Sequence, residues 1–217
     1  MEQDTDRGGA RKETAGRNAS RAGIELDGDD AGDLWIFGYG SLMWRPGFEH
    51  VERSDALLRG YRRRLCVVSR HHRGTATRPG LVMGLDRGGA CRGVAYRVPA
   101  AAVAETLAYL DEREIAHYPV YRRSIVSVGL GDGARHLAVT YTVDRREADY
   151  AGSLSVPEQA AIVAGATGLS GPNPDYLRQT VEHIHAMGLR DRALERVLAA
   201  LAPPSPDSEK IAMRALT

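Results

Sequence analysis

The segment Leu-Trp-Ile-Phe-Gly-Tyr-Gly-Ser-Leu, residues 34–42, joins an apolar stretch directly to a glycine-rich loop. Its first five residues, Leu34–Gly38, predict a short β-strand that ends where the glycines begin. Glycines directly after a strand let backbone N–H groups approach a ligand closely, as anion-binding nests and oxyanion holes require. Taken alone, the loop is more typical of an ordinary tight turn, so its importance depends on what the rest of the chain brings to it.

Three familiar motifs are excluded at this loop. Met43 stands where a GxGxxG dinucleotide-binding motif has its third glycine, and no Gly-Lys-Ser/Thr sequence follows as in a P-loop. Ser41 is not part of a GxSxG elbow, which argues against a nucleophilic serine. The loop alone therefore does not identify a reaction.

The rest of the chain predicts further strands and then helices. Apolar or alternating runs between Gly and Pro residues predict strands at Leu65–Ser69, Leu81–Leu85, Cys91–Val98, Tyr121–Val128 and His136–Val143, the last two forming a hairpin. Ser155 with Glu158 resembles a capping box at the start of a helix. Asn173 is placed to cap a second helix before Pro174, and Asp191 to start a third.

One helix is predicted between the strands, from Ala100 to about Ala116. Val103, Leu107 and Leu110 share one face, and Glu114 falls about 20° from Val103 in the same apolar stripe. Burial and the negative end of the helix dipole both disfavour a charged carboxylate and raise its pKa. A carboxyl group tuned in this way suits general acid/base catalysis. The alternative is that Glu114 ends the helix and turns to solvent or pairs with an arginine.

Charge is distributed unevenly along the 217 residues, although the net charge is only +1. Residues 1–33 carry nine acidic and five basic residues, a net charge of −4, so the remainder is net +5. We predict a disordered acidic leader over residues 1–33, one domain over 34–201 and a frayed tail over 202–217. The balance gives no case for nucleic acid or membrane binding. The arginine clusters 59–64 and 70–73 are interpreted as solvated strand edges.

Cysteine and histidine spacing predicts no metal site. Cys66 and Cys91 match no metal-binding motif and are expected to be buried thiols in a cytoplasmic protein, since no secretory signal or membrane span is evident. His183 and His185 point to opposite faces of a predicted helix and cannot chelate one ion together. The pair at 71–72 lies in a loop, and no third ligand is expected nearby.

Several motifs, in order along the chain, together resemble the ChaC family of γ-glutamylcyclotransferases. They are Trp35–Trp44, His72–Gly74, Pro79–Gly80, Gly93–Arg97, Tyr109–Leu110 with Arg113–Glu114, and Asn173 with Tyr176–Leu177. The resemblance implies an α+β fold with a small barrel-like sheet and packed helices. It also implies cleavage of glutathione, a small-molecule substrate, to 5-oxoproline and cysteinylglycine without a cofactor. Nothing in it indicates the oligomeric state.

The resemblance further implies roles for individual residues. Glu114 corresponds to the acid/base, in agreement with the helix analysis. The substrate-binding candidates are Phe37, Gly38, Tyr39, Gly40, Ser41, Leu42, Arg73 and Tyr176. Within this set the loop would hold the γ-glutamyl group, and Arg73 would hold the glycyl carboxylate. Tyr39 and Tyr176 are candidates for hydroxyl contacts, with core packing as the alternative.

One departure from the family pattern leaves other functions open. His117 stands where the family commonly has a small residue after the Arg-Glu pair, which makes strict glutathione specificity less secure. A second enzyme hypothesis is therefore a cyclotransferase for other γ-glutamyl amino acids or γ-glutamylamines. The non-enzymatic hypothesis is a γ-glutamyl-binding module that kept the fold.

Overall fold

The computed structural model describes residues 32–201, and the fold is reported for this part of the chain. The predicted tail and almost all of the predicted leader lie outside the described residues. Asp33, at the end of that leader, is an exception. Its carboxylate accepts hydrogen bonds from Arg97 Nη1 at 3.1 Å and from the Ala100 backbone N–H at 2.9 Å. The folded domain therefore includes Asp33.

Five strands form a closed barrel, which confirms the expected barrel-like sheet. They are β1 (Leu34–Gly38), β2 (Glu52–Ser69), β3 (Gly80–Val98), β4 (Tyr121–Leu130) and β5 (Arg135–Val143), in the order β1-β3-β2-β4-β5. Neighbouring strands are antiparallel, except that β5 closes the barrel by pairing with β1 in parallel. The hairpin predicted around Gly131 is confirmed as β4 and β5.

The long β2–β3 hairpin corrects the sequence prediction. The runs predicted as separate strands at 81–85 and 91–98 belong to one 19-residue strand, and β2 begins 13 residues before the predicted run at 65. Exposed polar residues and glycines with positive φ, such as Gly60, Gly88 and Gly89, interrupt the apolar pattern in mid-strand. Backbone pairing continues through this polar stretch, with register shifts on β2 that absorb the irregularity.

Arg63 is a further correction, because it is buried rather than solvated. Only 7% of the residue is exposed. Its guanidinium donates to the backbone carbonyls of Tyr39 and Arg92 and pairs with Asp191 at 3.3 Å. Arg63 thereby holds the backbone of Tyr39 at the start of the glycine-rich loop. Arg59, in the same cluster, is exposed as expected.

Four α-helices and a small two-stranded sheet complete the domain. The helices are α1 (Val103–Glu114), α2 (Val156–Gly165), α3 (Asn173–Ala186) and α4 (Arg192–Leu201), and the short strands are β6 (Thr167–Gly168) and β7 (Gly171–Pro172). The Ser155–Glu158 capping box is confirmed by a 2.7 Å bond from Ser155 N–H to the Glu158 carboxylate. Asp191 caps α4 as predicted, accepting from the N–H groups of Ala193 and Leu194. Within residues 32–201, no helix has both the length and the apolar character needed to cross a membrane.

Alternate residues of β1 face two different hydrophobic layers. Trp35 and Phe37 pack with the layer that contains α2, α3 and α4 residues, whereas Leu34 and Ile36 pack with the layer that contains Leu110 of α1. Because both faces of the strand are covered, every residue of β1 is apolar or glycine. Cys66 and Cys91 are buried free thiols, as expected.

Asn173 ties α3 to β3 instead of capping the helix. Its side chain is fully buried; the amide oxygen accepts from Leu81 N–H at 2.7 Å and the amide nitrogen donates to Leu81 C=O at 2.8 Å. The predicted N-cap role is therefore wrong, and α3 begins at Asn173 itself. A side-chain amide satisfies both groups of one strand residue because it carries a donor and an acceptor.

We expect Asn173→Ala to lower the free energy of unfolding by roughly 2–4 kcal/mol, since it leaves two buried backbone groups unpaired. Urea denaturation measures the change. Asp175→Ala is the matched control in the same helical turn, because Asp175 makes only an exposed ion pair with Arg178. That control should lose less than about 1 kcal/mol. Equal losses in the two variants would contradict the assigned role of Asn173.

Candidate active site

One cavity of about 590 Å³ lies where the glycine-rich loop, the end of α1, the β2–β3 loop and α3 meet. A volume of this size is typical of small-molecule sites. Seven of the residues singled out from the sequence line it: Tyr39, Gly40, Ser41, Leu42, Arg73, Glu114 and Tyr176. These residues come from four separate segments, so the fold gathers them around one space.

Glu114 is the last residue of α1, and its carboxylate faces the cavity. The side chain is 18% exposed, and Leu110, one turn earlier, is fully buried. Burial raises the pKa of Glu114, while the guanidinium of Arg113, with Nε 3.4 Å from Glu114 Oε1, opposes the shift. The two interpretations of the helix end are therefore both realised: the carboxylate is mostly buried, and it also contacts an arginine.

The loop turns back sharply after β1. Ser41–Met43 form one turn of 3-10 helix, closed by a 2.9 Å bond from Met43 N–H to Gly40 C=O. A Cβ on Gly38 would lie 2.9 Å from the Leu42 Cβ, so this close return requires glycine. The first N–H groups of a helical turn have no partner within that turn. The loop therefore presents backbone donors beside the cavity.

Phe37 and Gly38 do not line the cavity, and their predicted place in the binding surface needs correction. Phe37 is fully buried within the hydrophobic core, and its carbonyl accepts a 2.8 Å hydrogen bond from Thr140 Oγ1. Gly38 acts through the shape of the turn. Both residues support the loop from behind. The ring and carbonyl of Phe37 make their contacts inside the barrel, and Gly38 allows the close return of the chain.

Arg113 joins the end of α1 to the loop. Its Nη2 donates to Ser41 Oγ at 2.9 Å, and its Nη1 donates to Arg45 C=O and to Tyr109 Oη, each at 2.8 Å. Sequence reasoning noted Arg113 only as part of a motif. The contact with Tyr109 could have been predicted from the sequence, because residues four apart on a helix lie on the same face.

Five tyrosines line the cavity: Tyr39, Tyr118, Tyr121, Tyr141 and Tyr176. Burial is the largest cause that raises the pKa of each, and the nearby Glu114 carboxylate adds to it. The phenols are therefore neutral groups at physiological pH, available for hydrogen bonding. Sequence reasoning missed Tyr118, Tyr121 and Tyr141, since no motif spacing links residues on the α1–β4 connection and on two strands.

Two of these hydroxyls form hydrogen bonds with the backbone of Met83 in β3. Tyr121 Oη donates to Met83 C=O at 2.5 Å, and Tyr176 Oη accepts from Met83 N–H at 3.1 Å. The Tyr121 phenol donates its only proton in this hydrogen bond and has none left for a ligand. Tyr176 still has a proton to donate toward the cavity.

Arg73 lies at the rim, on the β2–β3 loop. Its Nη1 donates to Ser170 C=O at 2.6 Å, and its guanidinium carbon lies 5.0 Å from the centroid of the Tyr176 ring. This stacking holds a cation over an aromatic face. A planar guanidinium held in this way is suited to a carboxylate ligand.

The histidines agree with the sequence prediction on α3 and differ from it at the β2–β3 loop. His183 lines the cavity and stacks on Trp44 at a centroid distance of 4.2 Å, whereas His185 pairs with Glu195. The expectation that no third candidate ligand lies near His71 and His72 is wrong, because His117 contacts both rings. Residue spacing along the chain gave no sign of this contact, which joins two separate loops.

The family model for ChaC-like proteins matches residues 34–202. This chain belongs to the ChaC-like family. The match confirms the resemblance carried by the sequence motifs and includes nearly the whole of the described part of the chain.

Individual relatives agree with this assignment. A protein of Escherichia coli named glutathione-specific γ-glutamylcyclotransferase is 34% identical over 185 residues, covering 85% of this chain and 80% of that protein. Glutathione-specific γ-glutamylcyclotransferase 1 of Mus musculus is 33% identical, covering 84% and 83%. A crystal structure of a yeast γ-glutamyl cyclotransferase specific to glutathione superposes with a TM-score of 0.72 at 23% identity, covering 79% of this chain and 96% of that one. This last likeness shows that the fold is shared.

The raised pKa of Glu114 predicts how stability depends on pH. Between the ordinary pKa of 4.5 and the raised folded value, the folded protein binds more protons than the unfolded chain. The free energy of unfolding therefore falls as pH rises through this window. Glu114→Gln removes the effect, so the stability of the variant relative to the original protein should increase from pH 4.5 upward and then level off.

Urea denaturation at several pH values measures this difference. Glu112→Gln is the matched control, because Glu112 is exposed on the same helix. Its stability difference from the original protein should stay constant over the same range. A difference for Glu114→Gln that is also constant, or that shrinks with rising pH, would show that the carboxyl pKa is not raised.

Proposed function

We propose that this protein is an enzyme, a γ-glutamylcyclotransferase that cleaves glutathione to 5-oxoproline and cysteinylglycine. The observation that carries the proposal is Glu114, a largely buried carboxylate that shares one cavity with the glycine-rich loop. The names of the relatives from Escherichia coli and Mus musculus support glutathione as the substrate.

The reaction requires no nucleophile from the protein. The α-amine of the substrate attacks its own γ-carbonyl carbon, a C–N bond forms to close the lactam, and the original amide C–N bond breaks. One carboxylate can serve at both ends of the reaction: Glu114 takes a proton from the α-ammonium group before the attack and delivers it to the departing amine. The attacking nitrogen loses its second proton to solvent as the lactam forms, and the released amine takes up one from solvent. A raised pKa suits this double role, because it brings the carboxyl group closer to the pH at which it must both accept and donate.

The loop supplies electrostatic stabilisation in this proposal. The γ-carbonyl oxygen becomes an oxyanion when the amine attacks, and backbone N–H groups at the start of the Ser41–Met43 turn are donors of the kind that stabilise it. Arg113 keeps the Ser41 hydroxyl in place, and the support from Phe37 and Gly38 fixes the backbone behind it. Donors held in advance need no reorganisation during the reaction.

The remaining candidates orient the substrate. Folding the glutamyl chain so that its amine meets its own carbonyl is an orientation task worth several kcal/mol. We assign Tyr39 and Tyr176 to the γ-glutamyl end and Arg73 to the glycyl carboxylate. The distribution of these residues, with Arg73 on a rim loop, supports a substrate whose γ-glutamyl end lies innermost.

A second candidate is a cyclotransferase for other γ-glutamyl amino acids or γ-glutamylamines. The specific observation in its favour is His117, which departs from the family pattern and contacts His72 at the cavity wall. Release of 5-oxoproline from γ-glutamyl dipeptides at a rate equal to or above that from glutathione would favour it. Binding of glutathione without any release of cysteinylglycine would instead favour a non-enzymatic γ-glutamyl-binding module.

The same proposal includes the setting in which the protein acts. The reaction moves protons and one acyl group, so it calls for no redox or group-carrying cofactor. We infer that the protein is cytoplasmic and that its substrate is a small molecule. We also infer that it has no nucleic acid or membrane partner. The near-neutral net charge of +1 supports this.

We expect Glu114→Gln to lower kcat for glutathione at least about 100-fold, because glutamine is nearly isosteric and cannot carry the proton. Release of 5-oxoproline measures turnover, and calorimetry with glutathione measures binding. The variant should stay folded and should still bind. Turnover near that of the original protein would refute the acid/base role, and Glu112→Gln, exposed on the same helix, is the control expected to keep full activity.

We expect Arg73→Gln to lower kcat/KM for glutathione about 10- to 100-fold, as loss of a charge-assisted hydrogen bond predicts. The effect should lie mainly in KM. With γ-glutamylcysteine, which lacks the glycyl carboxylate, the same variant should resemble the original protein. Arg70→Gln in the same loop is the control, because Arg70 makes an exposed ion pair with Asp149. Equal losses on both substrates would contradict the assignment.

A further inference from the structure

Three imidazole rings meet beside the cavity, and none of them has a part in the proposed reaction. His71 and His72 lie on the β2–β3 loop, and His117 lies on the connection between α1 and β4. One ring nitrogen from each lies within 4.8 Å of the others. We propose that His71, His72 and His117 form a binding site for a divalent transition-metal cation, with Zn²⁺ as the ion that fits best.

The ligand type and number favour zinc. Neutral imidazole nitrogens bind Zn²⁺ at about 2.0–2.1 Å, and three histidines with one open position are an established tetrahedral set. Tetrahedral geometry places ligand nitrogens about 3.3 Å apart at these bond lengths. The observed spacing therefore has to contract by about 1.5 Å at most. The rings of His71 and His117 are stacked with an interplanar angle of 16°, so both have to rotate to aim a nitrogen at one ion, and both side chains are exposed.

His72 supplies the fixed ligand of the three. Its Nδ1 lies 3.0 Å from the hydroxyl oxygen of Ser170, which leaves Nε2 for a metal. Hydrogen bonding at the second ring nitrogen is the usual way in which a metal-binding histidine is oriented.

A bound cation would couple two walls of the cavity. His72 and Arg73 are adjacent on one loop and both line the cavity, while His117 follows Glu114 by three residues. Coordination by all three histidines therefore links the loop that carries Arg73 to the segment that follows the carboxylate. Metal binding would fix the histidine side chains beside the rim, which makes it a means of regulating access to the cavity.

Calorimetric titration of Zn²⁺ into the full chain, without a polyhistidine tag and in thiol-free buffer, tests the site. We expect one equivalent to bind. His71→Ala and His117→Ala should each weaken binding by at least the roughly 10- to 100-fold that loss of an outer-shell partner costs, because each removes a direct ligand. Both residues are exposed, so these variants should fold, as circular dichroism will verify. His185→Ala, which removes an exposed histidine outside the cluster, should bind as the original protein does.

Co²⁺ provides a second readout that is independent of activity. Its visible absorption should change on binding to the original protein and not on binding to the His117→Ala variant. A thiolate-to-cobalt charge-transfer band would place the ion on Cys66 or Cys91 and overturn the proposal. Failure of the original protein to bind Zn²⁺, or binding by either triad variant as tight as that of the original protein, would overturn it as well.

Discussion

The guanidinium of Arg113 is the interaction on which the candidate site depends. It bonds to Ser41 on the glycine-rich loop, 72 residues away in sequence, while its own backbone places Glu114 next to it at the end of α1. The loop donors and the carboxylate are therefore positioned by one rigid, planar group with several donors, and a lysine cannot reproduce that geometry. Orientation of the reacting groups is one of the main things that an intramolecular cyclisation needs from a protein.

The same arginine also limits the shift in the pKa of Glu114. Burial alone would raise the pKa of the carboxyl group further, whereas full exposure would leave it a weak base of ordinary pKa. The structure combines a largely buried side chain with one partial ion pair at 3.4 Å. The net effect is a raised pKa, and the cost in folding stability is concentrated at one carboxylate in the cavity.

Periodicity predicted the parts of the structure that have a local cause. The position of Glu114 follows from the stripe on α1, and β1 from its unbroken apolar run. The central stretch of the β2–β3 hairpin could not be predicted in this way. Polar residues and glycines with positive φ interrupt the apolar pattern there, and pairing between the two strands continues through them. Contacts such as Asn173 with Leu81, or His117 with His72, join distant segments, and only the closed barrel brings them together.

In the proposed function, reaction and selectivity depend on different parts of the fold. The carboxylate and the loop donors rest on β1 and α1, which are fixed by the barrel. The rim rests on the β2–β3 loop, where a Cβ on Gly74 would lie 2.2 Å from Gly80 N and one on Gly80 would lie 2.1 Å from Arg73 O. Such close packing fixes the course of the loop backbone. The side chains that it carries, including those of His72 and Arg73, can be replaced without changing that course. In the proposed function, a substitution beside the rim, such as histidine at 117, alters what the cavity admits without altering Glu114.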